Sequence, residues 1–549
     1  MTIGLLGALA ASVAAGYRYP ARVRRMLHLL QLEHYENARL FVWLRRRREV
    51  TDAPMLAALV LALVAVGGAG AGSAIVELVA GAAAAAALLV RRRPEPRSEI
   101  KPLVFTERAR RLFATALAAP AAVLVAGAVL TVVLGSDLPF AIAGAIAVAA
   151  VAGAAWALTA ANAALAPVQR RINARFTRAA TDKLQSVAPR VIGITGSYGK
   201  TTTKVCIGAV LSQQLQTLIT PASFNSRLGV IRTINELLEP QHEAFVVEMG
   251  MYRKGDIAQL CELVHPSIGV LTAIGPVHLE RLGSIEAIAD AKSELPQALP
   301  PGGRLVANGD DPRVREIASR VAAETVLYGL ESDDARVRAE EIELADGRTR
   351  FTLVIADRRA EVSAGLLGRH NISNLLAAAA VGDVVGIPIE GIAAGLSKVA
   401  PPEHRLAPIP NPRAGIIVID DAYNSNPAGA AAALEVLGGH PAKRRILVTP
   451  GMVELGDEEA ALNERFGRQA AEVCDHVILV GPERTRPIAA GLVAGGMRAG
   501  AITVVRDIGE ATKVLGGLTR AGDVILFEND LPDMYAEDNE RPTPAPAIA

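Results

Sequence analysis

Val191-Ile-Gly-Ile-Thr-Gly-Ser-Tyr-Gly-Lys-Thr-Thr-Thr-Lys204 decides the fold. An apolar strand runs into a Gly-rich turn that closes on Lys-Thr and opens a helix, which is the layout of a phosphate cradle. Gly196 and Gly199 let the backbone approach an anion without a Cβ in the way. A helix starting near Lys200 aims free N–H groups and a partial positive charge at the same point. Lys200 is placed to reach the β- and γ-phosphates of a nucleotide, and Thr201 its magnesium ion. The usual Gly-x-x-x-x-Gly-Lys-Thr spacing asks for a glycine where this chain has Ile194, so the loop is the shorter form Gly196-Ser197-Tyr198-Gly199-Lys200-Thr201, followed by Thr202.

Outward from this loop, apolar runs at 191–195, 217–220, 244–248, 268–274 and 304–307 alternate with helical segments. This is the βαβ rhythm of a mostly parallel sheet, with ligand groups expected at the carboxyl ends of the strands. A second series at 415–420, 445–449, 476–480, 502–505 and 523–527 predicts another α/β domain of Rossmann-like type, with the boundary near 399–403. The expected organisation is an N-terminal segment 1–178, a central α/β domain 179–400, a C-terminal α/β domain 401–535 and a polar, Pro-rich, disordered tail 536–549. The chain has 549 residues and a net charge of +1, so no basic surplus is left for nucleic acid. Cys206, Cys261 and Cys474 are too scattered for a disulfide framework or metal cluster and read as reduced thiols in a cytosolic setting.

The first third is apolar in blocks. Residues 1–16, 54–90 and 114–165 are rich in Ala, Val and Leu; the second block is broken by Gly67-Gly-Ala-Gly-Ala-Gly-Ser73 and the third by Gly135-Ser-Asp-Leu-Pro139. Each break predicts a turn between two apolar helices. Arginines cluster between the blocks, at 18–48, 91–111 and 170–178, and are absent from the turns. The positive-inside rule places these basic segments in the cytoplasm, giving about five membrane spans that deliver residue 179 onward to the side where ATP is found. Glu77, the one acid in an apolar block outside the glycine-marked turns, is expected near the outer interface.

Beyond the loop, several segments occur in a fixed order: Phe224-Asn-Ser-Arg-Leu-Gly229, Glu248-Met-Gly250, Gly275-Pro-Val-His-Leu-Glu280, Ala291-Lys-Ser-Glu294, Asn308-Gly-Asp-Asp311, Gly368-Arg-His-Asn371, His404-Arg405 and Asp420-Asp-Ala-Tyr-Asn-Ser-Asn-Pro427. Together with the loop they resemble the Mur ligase family of cell-wall peptide synthetases, on the D-alanyl-D-alanine-adding branch, over roughly residues 189 to 530. The resemblance implies a ligase that phosphorylates a carboxylate with ATP and lets an amine attack the acyl phosphate. Such chemistry rests on positioning and on fixed positive charge around the transferring group. By the same resemblance, Glu248 and His278 correspond to magnesium ligands. Lys292 corresponds to a lysine carbamoylated by CO2, Asn308 to an adenine contact, Arg405 to a phosphate-binding arginine from the last domain, and Asp421 to a ribose-binding acid. The segment His370-Asn371 reads as a helix cap.

Departures bear on the substrate. Membrane spans stand where cytoplasmic relatives carry a UDP-sugar-binding domain, and Thr449-Pro-Gly-Met-Val-Glu-Leu-Gly456 lacks the family's Asp. The expectation is a membrane-anchored, ATP- and Mg2+-dependent carboxylate–amine ligase at the inner face of a bacterial cytoplasmic membrane. Its partners are a carboxylate-bearing envelope precursor, an amino acid or dipeptide amine, and membrane lipid. Rival readings are a ligase elongating a polyamino acid or another envelope polymer, a membrane ATPase coupled to transport, and a nucleotide-binding scaffold without chemistry.

Overall fold

Apolar β-branched runs bounded by glycine turns form the strands that the sequence marks, with shifts of one to three residues at their ends. In the computed structural model the described residues are 3–33, 35–46, 53–89, 102–277, 279–345, 348–402, 404–422 and 425–529. The chain divides into two units, essentially Met1–Ala174 and Arg175–Leu531.

The first unit is helical: α1 (Ile3–Leu32), α2 (Asn37–Arg46), α3 (Ala53–Gly70), α4 (Ala74–Leu89), α5 (Glu107–Leu134), α6 (Leu138–Ala152) and α7 (Ala154–Val187), the last continuing into the second unit. The expected turns fall where the glycines predicted them, at 71–73 and 135–137. The first helix is longer than its apolar stretch, because Pro20 lies inside it without ending it. Small residues let α1 and α4 meet closely: a Cβ on Gly81 would come within 2.4 Å of the Gly7 backbone. Glu77 lies in the first turn of α4, just after the 71–73 turn. It is 2% exposed, and its Oε2 would lie 2.3 Å from a Cβ on Gly4.

Among the described residues one helix, α5, is long and apolar enough to cross a membrane, and Val125, Val129, Val132 and Val133 on it are exposed. The helices α6 and α7 satisfy that criterion only as a pair and are bent by 86° at Gly153, while α3 and α4 are shorter apolar helices. Arg47, Arg48 and Arg91 to Arg93, on which part of the orientation argument rests, lie outside the described residues, as does the tail 536–549.

The second unit begins with β1 (Arg190–Thr195), α8 (Lys200–Leu211), β2 (Thr217–Ile219), α9 (Arg227–Leu237), β3 (Ala244–Glu248), α10 (Asp256–Val264) and β4 (Ile268–Leu271). It continues through α11 (Leu279–Leu282), α12 (Ile285–Gln297), β5 (Arg304–Asn308), α13 (Pro312–Ser319), β6 (Glu324–Tyr328), β7 (Val337–Ala345), β8 (Arg348–Ile355), β9 (Arg358–Ala364), α14 (Arg369–Val385) and α15 (Ile389–Ser397). The nine strands β1 to β9 form one sheet in the order β2-β3-β1-β4-β5-β6-β7-β8-β9. Strands β1 to β6 pair in parallel, whereas β7-β8-β9 is an antiparallel meander that the sequence reading passed over. Helix α14 is buried from Asn371 to Gly382 except at Ser373, which an alanine-rich, nearly all-apolar helix requires.

The C-terminal sheet is assembled from β10 (Ala407–Asn411), β11 (Ile416–Asp421), α16 (Pro427–Gly439), β12 (Arg444–Thr449), α17 (Glu459–Val473), β13 (His476–Val480), α18 (Arg486–Ala494), β14 (Ile502–Val505), α19 (Ile508–Leu518) and β15 (Asp523–Glu528). Its order is β10-β11-β15-β12-β13-β14, parallel apart from the edge strand β10. Inserting β15 between β11 and β12 brings three loops together at one end of the sheet.

Candidate functional site

Strand β1 lies between β3 and β4, so the loop that follows it emerges at the crevice where ligands bind in open α/β sheets. Close approach dictates its glycines. A Cβ on Gly196 would lie 1.8 Å from Thr272 Oγ1, and one on Gly199, whose φ is +77°, 2.3 Å from Asn374 Oδ1. Thr203 Oγ1 donates to the same Asn374 oxygen at 3.1 Å, so α14 braces the loop from behind. Ser197 braces it from the side: its N–H donates to Ala273 O at 2.7 Å, and its hydroxyl donates to Gly275 O and accepts from Gly275 N at 3.0 and 2.9 Å. The side chain of Ser197, expected to face a nucleotide, is therefore committed to the segment after β4.

Lys200 begins α8 and folds back on the loop, donating to Gly196 O at 2.6 Å and Ser197 O at 3.3 Å. Burial holds its ammonium pKa below the usual lysine range; nearby Glu248 acts against that shift and Arg405 adds to it. Thr202 is buried in the first turn of the helix. Glu248 ends β3 at 1% exposure, and its carboxylate receives three donors. Thr201 Oγ1 and Lys204 Nζ reach its Oε2 at 3.1 and 3.0 Å, Asn225 Nδ2 reaches its Oε1 at 3.1 Å, and Thr220 Oγ1 accepts from its backbone N–H at 3.2 Å, which leaves three of the contacts on the carboxylate itself.

Lys292, on α12, is 2% exposed, and its ammonium pKa is pushed well down by burial and then by the charge of Lys200. Asn308 ends β5 with both ends of its amide engaged, Nδ2 donating to Thr272 O at 2.9 Å and Oδ1 accepting from Asp310 N at 3.0 Å. Arg405, two residues before β10, lies near enough for its charge to act on both Lys200 and Asp421. Asp421 accepts from Leu406 N at 3.2 Å; burial raises its pKa to about 6, against the pull of Arg405 and that N–H. His278 lies outside the described residues. Among the described residues no three His, Cys, Asp or Glu side chains gather as a metal cluster. The pair Thr201 and Glu248 nevertheless offers oxygen donors of the hard kind that magnesium takes.

Two further groups escaped the sequence reading. Lys204, 1% exposed, looks in sequence like any helix lysine, and only its position four residues after Lys200 hinted at a shared face. Glu528, at the end of β15 and also 1% exposed, accepts from Ser425 Oγ and, at 3.3 Å, from Thr449 Oγ1. The His370-Asn371 segment is not the cap of α14. Gly368 holds that position, and Asn371 donates to Leu367 O at 2.8 Å while its Oδ1 accepts from Asn374 at 3.0 Å.

A braced phosphate loop, a buried carboxylate against its Thr, and the charge of Arg405 acting on Lys200 are the parts of an ATP-using group-transfer enzyme. The descriptions "Mur ligase middle domain" and "Mur ligase, glutamate ligase domain" match residues 194–382 and 404–528. The UDP-N-acetylmuramoyl-tripeptide--D-alanyl-D-alanine ligase of Mycobacterium tuberculosis (strain ATCC 25618 / H37Rv) is 35% identical over 376 residues, covering 65% of this chain and 73% of its own length. The enzyme of that name from Escherichia coli (strain K12) is 34% identical over 301 residues, 54% of this chain and 66% of its own. Among solved structures, MurF from Acinetobacter baumannii superposes with a TM-score of 0.59 at 28% identity, covering 66% of this chain and 78% of that one. MurF ligase from Thermotoga maritima in complex with ADP gives 0.58 at 25% identity, covering 65% and 80%. The chain belongs to the Mur ligase family. It is an ATP-dependent peptide ligase of peptidoglycan-precursor synthesis.

Proposed function

We propose that this ligase is anchored in the bacterial cytoplasmic membrane by its N-terminal helices and extends the peptide of an envelope precursor at the inner face. The observation that carries the ligase chemistry is the grouping of Lys200, Thr201 and Glu248 at the crevice after β1, with the charge of Arg405 acting on Lys200. The loop N–H groups and Lys200 bind the ATP phosphates, and Arg405 adds positive charge where negative charge develops. Thr201 and Glu248 would hold one magnesium ion, and His278 with carbamoylated Lys292 a second; bound magnesium supplies charge neutralisation at the phosphates. A buried amine at Lys292 suits the carbamate, since the added carboxylate gives that position the negative charge a metal needs. Asn308 shapes the adenine end and Asp421 the ribose end.

The reaction transfers the γ-phosphoryl group to a precursor carboxylate, releasing ADP. The amine then attacks the acyl phosphate, forming the C–N bond and releasing phosphate. The relatives' printed names join D-alanyl-D-alanine to a UDP-N-acetylmuramoyl-tripeptide, and we assign the same class of amine here. The apolar helix α5 and the shorter helices α3 and α4 support the anchor, and a lipid-linked precursor gains effective concentration beside an anchored enzyme. Purified full-length protein given ATP, Mg2+, D-alanyl-D-alanine and either UDP-linked or lipid-linked tripeptide precursor tests this by mass spectrometry. A product heavier by the dipeptide less water, formed with one ADP, is expected, and ADP release without that product refutes the reading. Reporters fused after Arg178 should read cytoplasmic and those within 67–73 external; an external C-terminus overturns the anchor.

A further inference from the structure

The first turns of α8 place three residues for one purpose. Lys200 faces the loop, while Thr201 and Lys204, three apart and so on one helix face, converge on the same oxygen of Glu248. Thr201 is half-buried, whereas Lys204 is 1% exposed, so the carboxylate meets a hydroxyl on the open side and an ammonium on the closed side. Lys204 Nζ also donates to Ala222 O. Ala222 has a φ of +41° and belongs to the loop that brings Asn225 to the other Glu248 oxygen, and Asn225 O in turn accepts from Gly250 N at 2.9 Å. One buried cation thus joins the phosphate-loop helix, the end of β3 and the 220–226 loop.

We propose that Lys204 is the positioning residue of the magnesium site, a fixed counter-charge that holds Glu248 from behind and leaves its Thr201 side open to the metal. This rests on the assignment of Glu248 as a magnesium carboxylate. A buried carboxylate without a partner turns away or takes up a proton, and neither state binds a hard cation. Magnesium held by Thr201 and Glu248 displaces only the hydrogen bond between them; the bonds from Lys204 and Asn225 remain.

Calorimetric titration of ADP, with Mg2+ and with EDTA, into the full-length protein and its variants tests this. Lys204→Met should lose about tenfold or more of the Mg2+-dependent gain in ADP affinity, as supporting groups of metal ligands do, while ADP affinity in EDTA stays within about twofold. In a Glu248→Gln background, Lys204→Met should change the gain no further. An unchanged gain in Lys204→Met, or an equal loss with and without Mg2+, overturns the proposal. A full gain in Glu248→Gln alone instead overturns the assignment of Glu248, and the proposal with it. Should Lys204→Met not fold, Lys204→Arg against Lys204→Gln decides: the arginine should keep the gain and the glutamine lose it, and equal gains in both overturn the role.

Discussion

Each of the two sheets ends in a buried carboxylate, and what faces it differs. Glu248 meets the ammonium of Lys204 together with Thr201 and Asn225. Glu528 receives hydroxyls from Ser425 and Thr449 and stands beside Asp421 in the strand register. Burial raises the Glu528 pKa to about 8, with Asp421 adding to the shift and Ser425 opposing it. The first carboxylate is equipped to meet a cation. The second sits where burial favours its protonated form and where three loop ends meet, since Asn529 beside it accepts from Ser425 N and donates to Gly451 O. Equal burial at two strand ends therefore does not imply equal work; the neighbouring donors decide.

The largest test of this contrast is Lys200→Ala. Removing the cation at the phosphates should lower turnover by about a thousandfold or more in a steady-state ADP-release assay, with the melting transition retained. Near-normal turnover would remove the catalytic role from the first crevice. Lys292→Ala should fall almost as far, and added formate or acetate should restore part of the rate if a carboxylate on that side chain is what the site needs. Full activity without additive would leave Lys292 an ordinary buried lysine.

Glu528→Gln should act on stability far more than on chemistry. The folded pKa near 8 exceeds the unfolded reference of 4.5, so the native state keeps a proton that the unfolded chain gives up. This contribution is complete below 4.5 and is lost as pH rises toward 8. Urea denaturation across that window should show a falling slope that Glu528→Gln flattens, and an unaltered slope would mean that Glu528 is ionised in the folded protein. A smaller effect is expected from Thr449→Val, which removes the hydroxyl that donates to Glu528 at 3.3 Å and accepts from the Gly451 N–H at 3.0 Å and should cost about 1–3 kcal/mol in the same denaturation.

The phosphate loop was legible because its chemistry depends on residue type at short spacing, and Glu248 because it ends a strand beside that loop in a recognisable order. Asp421 comes from another sheet and Arg405 from just before it, and no local pattern joins them to Lys200; the family resemblance supplied the link. Lys204 and Glu528 were missed because single charged residues at helix or strand ends look solvated until burial is known. The meander β7-β8-β9 carried its own signals, alternation and turn residues at Asp346-Gly347 and Ala356-Asp357, but the parallel rhythm before it drew the reading past them. At the N-terminus the glycine turns set the helix breaks, whereas Pro20 did not stop α1 and the surroundings of Glu77 depended on which helices meet.

The brace between the phosphate loop and α14 has a consequence for synthesis. Thr203 and Asn374, 171 residues apart, share the hydrogen bond that backs the loop. At roughly 5–20 residues per second a ribosome needs on the order of 10–30 s to pass from one to the other. During that interval the loop has been made but its support has not. The nascent chain should thus gain its grip on nucleotide only after α14 emerges, late in translation and well after the N-terminal helices.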